Sequence, residues 1–225
     1  MDQLIERRDR LVGGLVDEIR TQVTAPALAR AASVVLGLDT ATISVASPTG
    51  PYLAGANGPL GQDIEDLQHR LGDGPTLTAL EEGRTVVALD GTGFRRWRVF
   101  GPEAAAKGIT ALFSFPLRPR RDTPSALSLY STRAEQFDDG RIGDVLLVAD
   151  LIAEALINPS PDQLPERLGQ VGDDRSAVHH ATGILVARQG LSPARALSSI
   201  RSRAASTHST VAEVAAQIIS RGDLS

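Results

Sequence analysis

The spacing of apolar residues changes twice along this chain, and that change sets the class of fold. From Asp2 to Arg20, Leu4, Ile5, Leu11, Val12, Leu15, Val16 and Ile19 recur at helical spacing with charges between them. A second helix is expected over "ALARAASVVLGL", with Thr24 ahead of it, Pro26 in its first turn and Gly37 as a left-handed C-terminal cap. From Thr40 the pattern shortens and alternates. "ATISVAS" and "YLAGA" flank the turn "PTGP" as two antiparallel strands, and "TVVAL", "ALFSFPL" and "SALSLYS" read as three more. Between them "DIEDLQHRLG", "PTLTALEEG" and "FRRWRVFGPEAAAKGI" read as short helices. The helical period returns in "FDDGRIGDVLLVADLIAEALI", with Asp138 or Asp139 as its N-cap. Strands bracketed by long helices predict an α+β domain with an antiparallel sheet. The two long flanking helices are apolar enough to pair across a homodimer, or to bury one face on the sheet.

"NPSPDQLPERLGQVGDD" holds three prolines and no period, and is expected to be a linker. Beyond it the pattern is helical only. Ala177, Ala181, Ile184 and Leu185 mark one stripe, ended by Gly190. Ser192 and Pro193 open a second helix with Ala196, Leu197, Ile200 and Ala204 on its apolar side. Thr210 and Glu213 have capping-box spacing before a third, carrying Val211, Val214, Ala215, Ile218 and Ile219. The expected organisation is an α+β domain over 1–157, a linker over 158–172 and a three-helix domain over 173–225.

Composition excludes several classes of function. A hydrophobic content of 42% with 22% charged residues is that of a globular chain, and no run approaches the roughly 18 apolar residues of a membrane span. The N-terminal segment is charged throughout, without a signal peptide's apolar core, which predicts a cytoplasmic protein. With no cysteine there are no disulfides, thiolate metal sites or thiol nucleophiles.

The net charge of −4 is unevenly placed. Residues 173–225 carry six arginines against four acids, leaving a net −6 on the first 172 residues. No acid falls between Arg175 and Ala212. Arg175, His179 and Thr182 fall away from the first apolar stripe, Arg201 and Arg203 come from the second helix, and His208 and Ser209 precede the third. With Arg188 they form the candidate basic face, suited to phosphate contact and to stacking on unpaired bases. The opposite charge of the two halves also allows the first to hold the second in check.

"AVHHATGILVARQGLSPARALSSIRSRAASTHSTVAEVAAQII" resembles the ANTAR domain, a three-helix RNA-binding module of bacterial transcription antiterminators. Ala181, Gly183, Ile184 and Leu185 match its first helix, Ala196, Ile200, Arg201 and Ala204 its second, and Val214 with Ala215 its third. "LQHRLGDGPTLTALEEGRTVVALD", "RWRVFGPEAAAKGITALFSFPL" and "ALSLYS" resemble the GAF domain found before ANTAR in actinobacterial regulators. The resemblance implies a small-molecule sensor, a homodimer, and two tails binding tandem RNA stem-loops so that an antiterminator forms in place of a terminator. The chain departs from the pattern at Thr182, where lysine is usual, in "STHST", a turn that is often basic, and at Thr76, often cysteine.

Other signals are weaker. Adjacent His179 and His180 point about 100° apart and cannot chelate one ion, so no metal and no cofactor is expected. Asp90 at a strand end lacks the acidic pair of a phosphoacceptor site. "GDGPT" and "GTGF" read as turns, and a lone His69 does not make a haem site. Trp97, Phe113, Phe115 and Tyr130 are read either as core or as an apolar ligand cavity on the sheet, oriented by Arg98 or Arg95. No catalytic constellation is present, so the chain is read as a binding protein and not an enzyme. The alternative function is a dimeric small-molecule sensor whose helical tail docks on a protein partner.

Overall fold

The computed structural model describes residues 2–89, 92–117, 123–133 and 139–223. Asp90 and the expected cap Asp138 lie outside them. Helices α1 (Asp2–Ile19) and α2 (Ala25–Leu36) lead into strands β1 (Thr40–Val45) and β2 (Tyr52–Ala56). Helices α3 (Gly58–Leu71) and α4 (Pro75–Glu82), strand β3 (Val86–Ala88), a 3₁₀ turn (Thr92–Arg96) and helix α5 (Phe100–Ala106) come next. Strands β4 (Ala111–Leu117) and β5 (Ser125–Ser131) complete a five-stranded antiparallel sheet of order β2-β1-β5-β4-β3. Helices α6 (Asp139–Ile157), α7 (Leu164–Gln189), α8 (Pro193–Thr207) and α9 (Val211–Arg221) follow. The chain thus has the expected α+β half followed by a helical half.

Local signals place most element ends. The Thr24 hydroxyl accepts from the Ala27 N–H at the start of α2, and Gly37 closes that helix with φ of 61°. Ser192 caps α8, and Thr210 with Glu213 forms the full capping box of α9.

The two faces of the sheet differ in chemistry. Odd-numbered Ala41, Ile43, Phe113, Phe115, Leu127 and Leu129 turn toward the long helices and join their apolar core. Even-numbered Thr42, Ser44, Ser114, Ser128 and Tyr130 are also buried, in the layer under α3 and α4. The registers Phe113↔Leu129 and Thr42↔Ser128 set these faces across the strands. Burying hydroxyls requires partners. Glu65 supplies them: its Oε1 accepts from Thr42 at 2.6 Å, Thr76 at 2.9 Å and Tyr130 at 3.1 Å, and its Oε2 from Ser44 at 3.1 Å. Gln68 donates to Tyr130 and accepts from the Thr76 N–H. Burial, followed by the nearby Glu65 carboxyl, pushes the Tyr130 hydroxyl well above the usual tyrosine range. Among the described residues, no buried side-chain nitrogen or oxygen lacks a partner.

The linker expectation needs correction. Residues 158–163 connect two helices, but Leu164 to Gly172 are the opening turns of α7, a continuous helix of 26 residues. Leu164 and Leu168 are buried there because α7 folds back along α6. Pro165 sits in the first turn, where its missing N–H costs no helical hydrogen bond. The α6–α7 contact is close at Gly143, where an added methyl would lie 2.9 Å from the His180 Cα and 3.2 Å from the His179 carbonyl oxygen. α7 also packs on α1, with Arg8 bonded to Asp173. One apolar core therefore runs from the sheet through α6 and α7 to Val214 and Ile218 of α9.

Candidate nucleic-acid interface

The candidate residues of α7 form a single helical stripe: Arg175, His179, Thr182 and Val186 recur at intervals of four, three and four. Its first two members face α6. Arg175 donates from Nη1 to Asp150 Oδ2 at 2.6 Å, and His179 Nε2 lies 2.7 Å from the same oxygen. The Asp150 carboxyl is desolvated by burial, which raises its pKa, but the His179 hydrogen bond and charge, then those of Arg175, outweigh this and hold it below the usual carboxylate range. Thr182 was expected on the exposed RNA-binding face. It is instead 2% exposed and donates to the Val178 carbonyl at 2.7 Å. A short hydroxyl suits the packed stripe, where its bond back to the preceding turn satisfies it without solvent.

The candidates of α8 and its following turn are arranged differently. Arg201 and Arg203 are exposed and make no ion pair among the described residues. They do not share a face: two positions on a helix differ by about 200° of rotation, which puts them on opposite flanks of the buried stripe Ala196, Ile200 and Ala204. His208 caps α8 in the left-handed region with φ of 53°, its N–H donating to Ala204, and its ring is left at the surface. Ser209 exchanges a hydrogen bond with Thr207. Arg188 lies in the last turn of α7, its guanidinium close to Gly222 beyond α9.

Arg175, His179, Thr182 and Arg201 are brought together along one groove of about 730 Å³ between the α+β half and α8–α9. Arg188, Arg203, His208 and Ser209 lie outside its lining. Two further charged residues belong to the groove, Asp150 and Arg84. Neither stood out by motif, although Asp150 is the lone acid inside the apolar run "VLLVADLIA", and a charge there needs a nearby cation.

The aromatic residues considered for a sensor cavity divide between the two faces of the sheet. Phe113 and Phe115 stack 6.3 Å apart on the face toward the long helices. Tyr130 lies on the opposite face with Trp97, whose indole N–H donates to Thr78 at 3.0 Å. Arg98 is at the surface. The sheet itself separates the two pairs, because strand parity sends them to different sides.

With α7, α8 and α9 in place, the helical half can be compared with known families. Residues 166–219 match the ANTAR domain. The ANTAR match begins in the first turn of α7 and ends inside α9. It therefore takes in turns expected as linker and the two residues that meet Asp150 of α6. No curated protein sequence matches the chain. Among solved structures, the chain is similar to the N-acylhomoserine-lactone-dependent LuxR-family transcription factor CepR2 of Burkholderia cenocepacia. That likeness has 19% identity over 66% of this chain and 94% of the other, with a TM-score of 0.50. The GAF domain of an Acinetobacter phosphoenolpyruvate-protein phosphotransferase is 13% identical over 74% and 97%, with a TM-score of 0.45. Free methionine-R-sulfoxide reductase of Neisseria meningitidis is 16% identical over 77% and 94%, with a TM-score of 0.47. At 19% identity the likeness to CepR2 is one of fold. No described helix is long and apolar enough to cross a membrane.

Proposed function

We propose that this chain is a cytoplasmic, dimeric transcription antitermination regulator. Its ANTAR region binds tandem RNA stem-loops, and its α+β half controls that binding. The observation that carries the reading is the ANTAR match over 166–219, which falls on helices whose surface presents Arg201 and Arg203 without an ion pair among the described residues. Arginine side chains of this kind contact phosphates and lie flat on unpaired bases. The mechanism is selective binding without chemistry: stabilising one RNA hairpin withdraws strands from a competing terminator.

The contact of Arg175 and His179 with Asp150 supplies the control. A carboxylate stands where an RNA phosphate would otherwise be accepted, so RNA must displace α6 from these two side chains. A signal acting on the α+β half shifts RNA affinity only by favouring one arrangement of that contact.

The test is a titration of the full chain against a labelled RNA with two tandem stem-loops, beside a single-loop control, at two salt concentrations. The reading expects tight binding that needs both loops and weakens with salt, by a log-log slope of about −0.7 for each phosphate contact to single-stranded segments. Absence of salt-sensitive binding at either concentration refutes it, and assigns the exposed arginines to a protein partner instead.

A further inference from the structure

The groove between the two halves has the size and lining of a small-molecule site. Its volume of about 730 Å³ lies within the roughly 300–1,000 Å³ of ligand pockets. Phe115 of β4 and Leu146 of α6 form an apolar wall on one side, and Leu197 of α8 faces the groove from the other. The charges at the wall are unbalanced. Arg84, Arg175 and Arg201 stand against Asp150, whose carboxylate is already engaged by Arg175 and His179. Arg84 pairs with the exposed Glu82, and Arg201 has no ion-pair partner among the described residues. A cation left open at the rim of an apolar wall fits a ligand with one anionic end and an apolar body. A nucleobase fits less well, because Phe115 is 4% exposed and offers no ring face for stacking.

We propose that this groove binds a small amphipathic anion, its carboxylate, phosphate or sulfonate held between Arg84 and Arg201 and its apolar part against Leu146 and Leu197. The ligand touches the α+β half at the start of β3 and the ANTAR region at α8, bridging them. This site shares Phe115 with the aromatic candidates on the sheet but not Trp97, Phe113 or Tyr130, and the inference does not depend on RNA binding.

The probe is 8-anilinonaphthalene-1-sulfonate, an apolar bicyclic body with one sulfonate, titrated fluorometrically into the full chain without RNA. N-phenyl-1-naphthylamine, the same body without the anion, is the control. The expected result is saturable binding of one dye per chain, weakened about tenfold by Arg201→Ala and by Arg84→Ala, the loss of one charge-assisted contact each. The neutral dye is expected to bind at least tenfold more weakly and to ignore both substitutions. Circular dichroism and melting curves matching the parent show that the variants are folded. Arg201→Glu serves as a second variant at this exposed position and should abolish binding of the sulfonate. Non-saturable dye uptake, or affinity unchanged by all three substitutions, overturns the proposal.

Discussion

Asp150→Asn removes one charge and leaves the side-chain shape, so it isolates what the α6–α7 contact does. Asp150 Oδ2 meets Arg175 at 2.6 Å and His179 at 2.7 Å. Opposite charges about 4 Å apart attract by about 4 kcal/mol at an effective dielectric constant of 20. Arg175 is 53% exposed, which cuts this strongly, whereas the hydrogen bond between His179 and Asp150, at 14% and 29%, is better shielded. A net contribution of about 1–2 kcal/mol remains after desolvation. For a chain of this size that corresponds to a fall in Tm of roughly 2–8 °C. The sign with pH follows from the lowered pKa of Asp150. Its stabilisation is present above the unfolded value of about 3.9 and is lost as pH falls through the lower folded value. The Tm gap between parent and variant should therefore be full at pH 7 and close in acid. RNA affinity should move the other way. If binding breaks the same contact, the variant binds tandem stem-loop RNA about 5- to 30-fold more tightly. A variant with the predicted drop in Tm and parental RNA affinity refutes the restraint, and an unchanged Tm refutes the energetics as well.

Gly143→Ala should separate α6 from α7, since its methyl meets backbone at 2.9 Å. Overpacking costs about 1–3 kcal/mol, and the better helix propensity of alanine returns up to about 1 kcal/mol, so chemical denaturation should show a net loss. Because Arg201 and Arg203 lie on opposite flanks of α8, a shared RNA phosphate track cannot use both equally. Salt titrations of Arg201→Ala and Arg203→Ala should give a slope reduced by about 0.7 in one and nearly parental in the other. Glu65→Gln replaces acceptor capacity with an amide facing hydroxyl donors from Thr42, Thr76 and Tyr130. It should cost about 1–3 kcal/mol in urea unfolding, and a stability equal to the parent would show that the network rearranges freely.

The features legible in the sequence are those fixed by near neighbours. Thr24, Gly37, Ser192 and the Thr210–Glu213 pair act within one turn, so their positions alone mark the helix ends. Leu164 and Leu168 read as part of a proline-bearing connection because their burial depends on α6 lying alongside, a contact made at long range. Strand parity was available for Phe113 and Phe115, but their separation from Tyr130 depends on the register of β4 against β5. Thr182 looked polar and therefore exposed, although its spacing from His179 and Val186 already placed it on their stripe. Glu65 and Gln68 sit among Ile64 and Leu67 on α3, and only the hydroxyls of the facing sheet explain why they are buried.

The splice between the two halves falls inside a helix. Since α7 runs unbroken from Leu164 to Gln189, the joint has a phase as well as a length. One residue inserted near Leu168 would turn every later side chain by about 100° about the axis, carrying Arg175 and His179 away from Asp150. An insertion of seven residues, close to two full turns, would nearly restore the azimuth and advance the reader by about 10 Å. Chimeras that graft another sensor onto these three helices should therefore respond to their signal only at particular residue counts, with a periodicity set by the helix and not by the flexibility of a tether.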